Sequence, residues 1–160
     1  MLLEVLKKLR DAGHEVYLIL AGPDHYEGHL QQIAEEMNIS ESVRFLGWRN
    51  DVGELMRAAD VCTASSIREG FGINLIEALY CGLPVIATDN RGHRMALKNG
   101  ENGLLVSMDD TDAMSGYIEK LMQDERFRAR YAGIDVQEYE ADLVAGRIYD
   151  ILMEEVPDGE

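Results

Sequence analysis

Two glutamates, Glu69 and Glu77, stand eight positions apart in the stretch "SSIREGFGINLIEALYCGLPVIATDNRG", with a Gly-Phe-Gly turn between them and a Gly-Leu-Pro break after them. A helix built only to fill a core would carry leucine at position 77. A carboxylate among neighbours such as Leu75, Ile76, Ala78 and Leu79 is costly unless something donates hydrogen bonds to it. The vicinal hydroxyls of a ribose or hexose can do so in pairs. Gly70 and Gly72 let the backbone approach a ligand closely. A helix starting near Ile73 presents free N–H groups at the positive end of its dipole, a cradle for a diphosphate. Spacing alone leaves a plainer alternative open, in which Glu77 is exposed on an amphipathic helix and Glu69 offsets the helix dipole.

These residues need a scaffold, and the chain spells one out. Leu2, Leu3, Val5, Leu6 and Leu9 fall at helical spacing within Met1–Ala12, with Lys7, Lys8 and Arg10 toward the end and a stop at Gly13. The apolar run "EVYLILAGP" (15–23) reads as a buried strand, and a helix is expected from about Tyr26 to Met37. The alternation continues with "SVRFLG" as a strand to Gly47, "DVGELMRAA" as a short helix, "DVCTAS" as a strand, the helix through Glu77, and "PVIATD" as a strand. A connection through "RGHRMALKNGEN", the strand "GLLV", a helix from Thr111 to about Leu121 and helical segments to Glu155 complete the reading. Strands alternating with helices of this length predict an α/β, Rossmann-like three-layer domain with a mostly parallel sheet. The strand ending near Ser65 then delivers the loop carrying Glu69 to the carboxyl edge of that sheet, where open α/β folds bind ligands. The expected domain is 1–156, with a polar tail at 157–160 and no internal repeat or linker before it.

The order has one oddity. The chain begins on a helix, whereas a doubly wound domain begins on a strand, and in the order 3-2-1-4-5-6 that strand is central. The expectation is that the central slot is filled from elsewhere, or that two inner strands lack their neighbour and present a sticky edge.

Composition bounds the partners. The chain has 160 residues, 46% of them apolar, and fifteen basic against thirty acidic residues give a formal charge of -15. That balance repels phosphate backbones and argues against nucleic acid. Cys62 and Cys81 sit in apolar runs without CxxC spacing, as reduced thiols do in a reducing compartment. No apolar segment is long enough to span a bilayer and the opening residues lack signal-peptide features, so the expected location is cytoplasmic.

"REGFGINLIEALYCGLPVIATDNRGHRMALKNGENGLLV", extended outward through "SVRFLGW", "LMRAADVCTASS" and "VYLILAGP", resembles the C-terminal, donor-binding domain of retaining glycosyltransferases of family 4. These have the GT-B fold, and the likeness is strongest to those of capsule and exopolysaccharide assembly. The resemblance implies hexosyl or N-acetylhexosaminyl transfer from a nucleotide-diphosphate sugar with retention. A UDP-sugar is the expected donor, GDP- and ADP-sugars remain open, and no metal or other cofactor is required. It implies that Glu69 contacts the donor sugar at the catalytic centre, orienting it without acting as a base, and that Glu77 holds the ribose. Gly70, Phe71, Gly72, Ile73, Asn74 and Leu75 would line the diphosphate, and Gly47, Trp48 and Arg49 would lie beside the base.

The resemblance also implies parts that this chain lacks. The family's arginine and lysine clamp for the diphosphate would precede Met1, as would the N-terminal acceptor-binding domain, the natural partner as a domain or a subunit. The acceptor would be a saccharide or a lipid-linked one, and any peripheral contact with the inner membrane face would belong to the complete enzyme. The isolated chain is expected to bind donor weakly and transfer nothing. Rival readings are a nucleotide-sugar binding or regulatory module paired with a separate subunit, a sugar-nucleotide epimerase, and an inactive truncation.

Several residues are read both ways. Related sequences place an acidic residue at Met95, so Arg91 or Arg94 is expected to lack a partner. His93, in the loop beside Arg91 and Arg94, could lie near the site but reads first as a solvated loop histidine, and His14 reads as a turn residue. His25 and His29 with Asp24 could meet on a helix face as metal ligands but read as surface residues. Trp48 could stack on a base or pack against its neighbouring loop. Leu143, Ile148, Ile151 and Leu152 read as a terminal helix.

Overall fold

The computed structural model describes residues 1–24 and 27–139. The apolar spacing of the first turns produces α1 (Leu2–Asp11), which buries Leu3, Val5, Leu6 and Leu9. The helix ends where Gly13 takes a φ of +88°, a turn open to glycine at little cost. There follow β1 (Leu18–Ala21), α2 (His29–Glu36), β2 (Val43–Gly47), α3 (Val52–Arg57), β3 (Cys62–Ala64) and α4 (Ile73–Tyr80). The described chain is completed by β4 (Val85–Thr88), α5 (Arg91–Ala96), β5 (Leu104–Val106), α6 (Thr111–Gln123) and α7 (Glu125–Tyr131).

The layering is legible in β4, whose four residues are all buried. Val85 and Ala87 pack with Leu75, Ala78 and Leu79 of α4. The intervening Ile86 packs on the other side with Val5 and Leu9 of α1 and Met114 and Ile118 of α6. Successive strand residues point to opposite faces, so β4 is the middle layer of a Rossmann-like α/β sandwich.

Among the described residues all strand pairs are parallel, and they form two sheets. β1 pairs with β2, Leu18 opposite Val43 and Leu20 opposite Phe45, with a register shift before Ala21. β3, β4 and β5 form the second sheet in that order. The split falls at the central position of the doubly wound order, and of the two outcomes expected there, the described residues show the one in which the inner strands lack a neighbour. α1 holds the halves together. Its Leu3 and Leu6 pack with Leu18, Leu20 and Val43 of the first sheet, while its Val5 and Leu9 pack with Ile86, Leu104 and Val106 of the second.

The expectation of a buried strand over 15–23 is corrected in β1, which is only half covered: Leu18 and Leu20 pack with α1 and α2, whereas Ile19 on the opposite face is 47% exposed. The helix expected from Tyr26 begins at His29, after Gly28 in the left-handed conformation at φ +86°. Residues 91–96, expected to be part of a connection, form α5. Of the expected helical tail, α7 and a single 3-10 turn at Gln137–Tyr139 are seen. The terminal helix through Leu143 and Leu152 and the domain limit at residue 156 lie outside the described residues.

Candidate functional site

The Glu69 loop leaves β3 and is held from beneath by the end of β4. Thr88 Oγ1 and Asn90 Nδ2 both donate to the Ser66 carbonyl, at 2.7 and 2.8 Å. Asn90 also caps α5, its Oδ1 accepting from the His93 backbone N–H at 2.9 Å. Gly92 lies against the Glu69 backbone, where a side chain would collide. The loop is thus fixed on three sides before it reaches Gly72, which at φ +76° opens α4.

His93 is wholly buried behind this turn, which corrects the expectation of a solvated loop residue. Its Nδ1 lies 2.7 Å from the Thr88 carbonyl; a carbonyl can only accept, so Nδ1 carries a hydrogen. Nε2 has no partner among the described residues. Arg94, expected to lack a partner opposite Met95, pairs with Asp89. That hydrogen bond holds the Asp89 carboxyl below its usual range and raises the guanidinium.

No side chain among the described residues caps α4, and Ile73 and Asn74 at its start are exposed. The first N–H groups of a helix lack intrahelical partners, so this end is open to an anion. The Leu75 N–H bonds to the Gly72 carbonyl at 2.9 Å. Glu69 Oε1 accepts from the Gly70 N–H at 2.8 Å, which occupies one donor of the expected cradle. Phe71 turns back onto Tyr139, with ring centroids 6.0 Å apart, edge to face.

Glu77 is exposed, which corrects the inference that its apolar sequence neighbours surround it. Leu75, Ala78 and Leu79 take the buried face of α4 and leave Ile73, Glu77 and Tyr80 outward. That outward face is one wall of a groove of about 430 Å³, with Val52 and Met56 of α3 opposite and Tyr139 beside it. Glu69 does not line it. The two glutamates therefore flank the start of α4, one ahead of the turn and the other on the groove wall.

Gly47, Trp48 and Arg49, expected beside the base, are not among the residues that line this groove. Gly47 takes a φ of +63°, and Trp48 beyond it is 80% exposed, so it does not pack against the neighbouring loop. Arg49 donates from Nε and an end nitrogen to both oxygens of Asp51. This pairing lowers the Asp51 carboxyl and raises the Arg49 guanidinium. α3, whose Val52 and Met56 line the groove, starts at the next residue.

Other candidates fall away from this place. His14 pairs through Nε2 with Glu119 of α6 at 3.1 Å. His29 is exposed, and His25 lies outside the described residues. The signal that sequence reading missed was "TDNRGHR": an asparagine ahead of a short helical run is an N-cap signature, and it places Thr88, Asn90 and Gly92 under the loop.

A family model described as "Glycosyl transferases group 1" matches residues 1–133. The chain belongs to this family. Among group 1 relatives, it is 42% identical over 120 residues to the putative glycosyltransferase EpsD of Bacillus subtilis, covering 75% of this chain and 32% of that protein. It is 34% identical over 117 residues to the lipopolysaccharide core biosynthesis glycosyltransferase LpsE of Rhizobium meliloti, covering 73% and 34% respectively. Among solved structures, Anabaena HepE in complex with UDP and glucose superposes with a TM-score of 0.85 at 27% identity, over 94% of this chain and 43% of that one. The chain thus spans about a third of the curated relatives' length and less than half of the solved one. Among the described residues no helix is long and apolar enough to cross a membrane.

Proposed function

We propose that this chain is the donor-binding half, residues 1–156, of a retaining, GT-B glycosyltransferase of polysaccharide assembly. The observation that carries the reading is the uncapped start of α4, flanked by Glu69 on one side and by Glu77 and its groove on the other. A nucleoside diphosphate has the chemistry to fit. Its diphosphate meets the free N–H groups at Ile73 and Asn74, where the helix dipole offsets the charge that builds on the leaving group. Its ribose hydroxyls donate to Glu77, and its base lies toward Trp48. Glu69 exchanges its bond to the Gly70 N–H for hydroxyls of the transferred sugar, so it orients the sugar and removes no proton.

Membership in group 1 and the likeness to HepE, bound there to UDP and glucose, support a UDP-sugar donor. The acceptor, a saccharide or a lipid-linked sugar, would be held by a further domain or subunit, and this chain alone would not turn over. The working location is the cytoplasm, with contact at the inner membrane face left to the acceptor half.

Calorimetric titration with UDP, UDP-glucose, GDP and ADP tests the reading. UDP is expected to bind weakly, and Glu77→Ala is expected to reduce its affinity about tenfold or more, the loss of a charge-assisted pair of hydrogen bonds, without moving the melting curve. Absence of heat with every nucleotide, or an unchanged affinity in Glu77→Ala, overturns it.

A further inference from the structure

We propose that Tyr139 is a positioning residue for the Glu69 turn, and that its ring couples what fills the α3–α4 groove to the way Glu69 is presented. The proposal rests on the donor reading only for what fills the groove. Between Glu69 and the first residue of α4 the chain reads Gly70-Phe71-Gly72. Glycine restricts its own backbone least of all residues, so the turn has one side chain, Phe71, by which the rest of the fold can hold it. The contacts beneath the loop fall before it: Thr88 and Asn90 hold Ser66, and Gly92 meets the backbone of Glu69. Among the described residues the Phe71 ring has one aromatic partner, Tyr139, edge to face with centroids 6.0 Å and planes 68° apart.

Tyr139 is itself anchored. Its backbone N–H donates to the Val136 carbonyl at 3.0 Å, closing the 3-10 turn Gln137–Tyr139. Its hydroxyl donates to the Met95 carbonyl near the end of α5 at 3.3 Å, and it packs against the cluster that holds Leu75, Ala78 and Leu79 of α4. The same residue lines the groove with Val52, Met56, Ile73 and Glu77. Glu69 has no part in that groove, so Tyr139 and Phe71 form a side-chain route from the wall that carries Glu77 to the turn that carries Glu69. A nucleoside seated in the groove bears on Tyr139, and Tyr139 bears on Phe71. Edge-to-face rings keep a preferred geometry, so a displaced Tyr139 carries Phe71 with it. The backbone of α4 is the other route between the two glutamates, and removing the ring separates the two.

The test is nuclear magnetic resonance of backbone amides and methionine methyls on the full chain with Tyr139→Leu, which removes the ring, and Tyr139→Phe, which keeps the ring and removes the hydroxyl. Without ligand, the Gly70, Phe71 and Gly72 amide resonances are expected to move in Tyr139→Leu and to stay near their wild-type positions in Tyr139→Phe. Phe71→Leu, which leaves Tyr139 in place, should move Gly70 and Gly72 as well, and the double variant should add little further, as for residues in contact. Uridine has neither phosphate nor donor sugar to reach the turn, yet in the wild type it should move the turn amides together with the Met56 methyl. At saturating uridine in Tyr139→Leu, only the Met56 methyl should respond. The ratio of UDP-glucose to UDP affinity, in which any loss of nucleoside binding cancels, should fall about fivefold in Tyr139→Leu and stay within about twofold in Tyr139→Phe. Turn amides that hold still in Tyr139→Leu, or that move equally in both variants, overturn the proposal, as does a turn that follows uridine in Tyr139→Leu as it does in the wild type. Uridine that moves no resonance counts against the donor reading instead, and the ligand-free comparison then decides the role of Tyr139.

Discussion

A side chain begun on Gly92 would place its Cβ 2.3 Å from the carbonyl oxygen of Glu69 and 2.6 Å from its carbonyl carbon. The start of α5 therefore rests directly on the backbone of the first glutamate, and the obstacle is main chain, which cannot rotate aside.

Gly92→Ala is expected to displace the Glu69 loop and destabilise the fold by about 1–3 kcal/mol, the usual range for overpacking. UDP-glucose titration measures the first effect and thermal melting the second. An alanine variant that melts with the wild type would show that the loop has slack.

The two donors to the Ser66 carbonyl are unequal. Thr88→Val removes one of two bonds to that oxygen and should cost about 0.5–1.5 kcal/mol. Asn90→Ala removes the other bond together with the cap of α5, and should cost about 1–3 kcal/mol. Urea unfolding of both variants checks the order; equal costs would mean that the cap carries no weight.

Cys62 supplies a pH dependence. Burial pushes its thiol up to about 11, so between about pH 9 and 11 the unfolded chain has released a proton that the folded chain retains. The folded state then binds more protons, and stability falls as pH rises through that window, by about 3 kcal/mol at most. Urea midpoints measured near neutrality and at about pH 10.5 should converge for Cys62→Ala relative to the wild type, because the variant has no thiol to ionise. A wild-type loss no larger than the variant's would place Cys62 in water.

The strands were legible because each apolar run ends at a glycine or a polar turn. The start of α4 was legible too, since Gly72 and the apolar run after it mark a helix entry. The face of Glu77 was misjudged by taking sequence neighbours for spatial ones; Leu75, Ala78 and Leu79 at helical spacing already assign the buried stripe elsewhere. α5 was hidden because "RGHRMA" has little helical periodicity of its own and depends on the Asn90 cap. The burial of His93 was hidden for a related reason, since its ring lies against Thr88 and Asn90 at the end of β4, contacts that no local pattern announces. Trp48 could be placed at a strand end, but whether it packed was a tertiary question.

The Gly47–Arg49 turn rides on one sheet, whereas Glu69 and α4 ride on the other. The span that the proposed nucleoside diphosphate would bridge is therefore a distance between two separately built platforms. The four apolar side chains by which α1 clasps both sheets act as a gauge on that span: trimming Leu6 or Leu9 would retune the reach of the site without touching any residue in it.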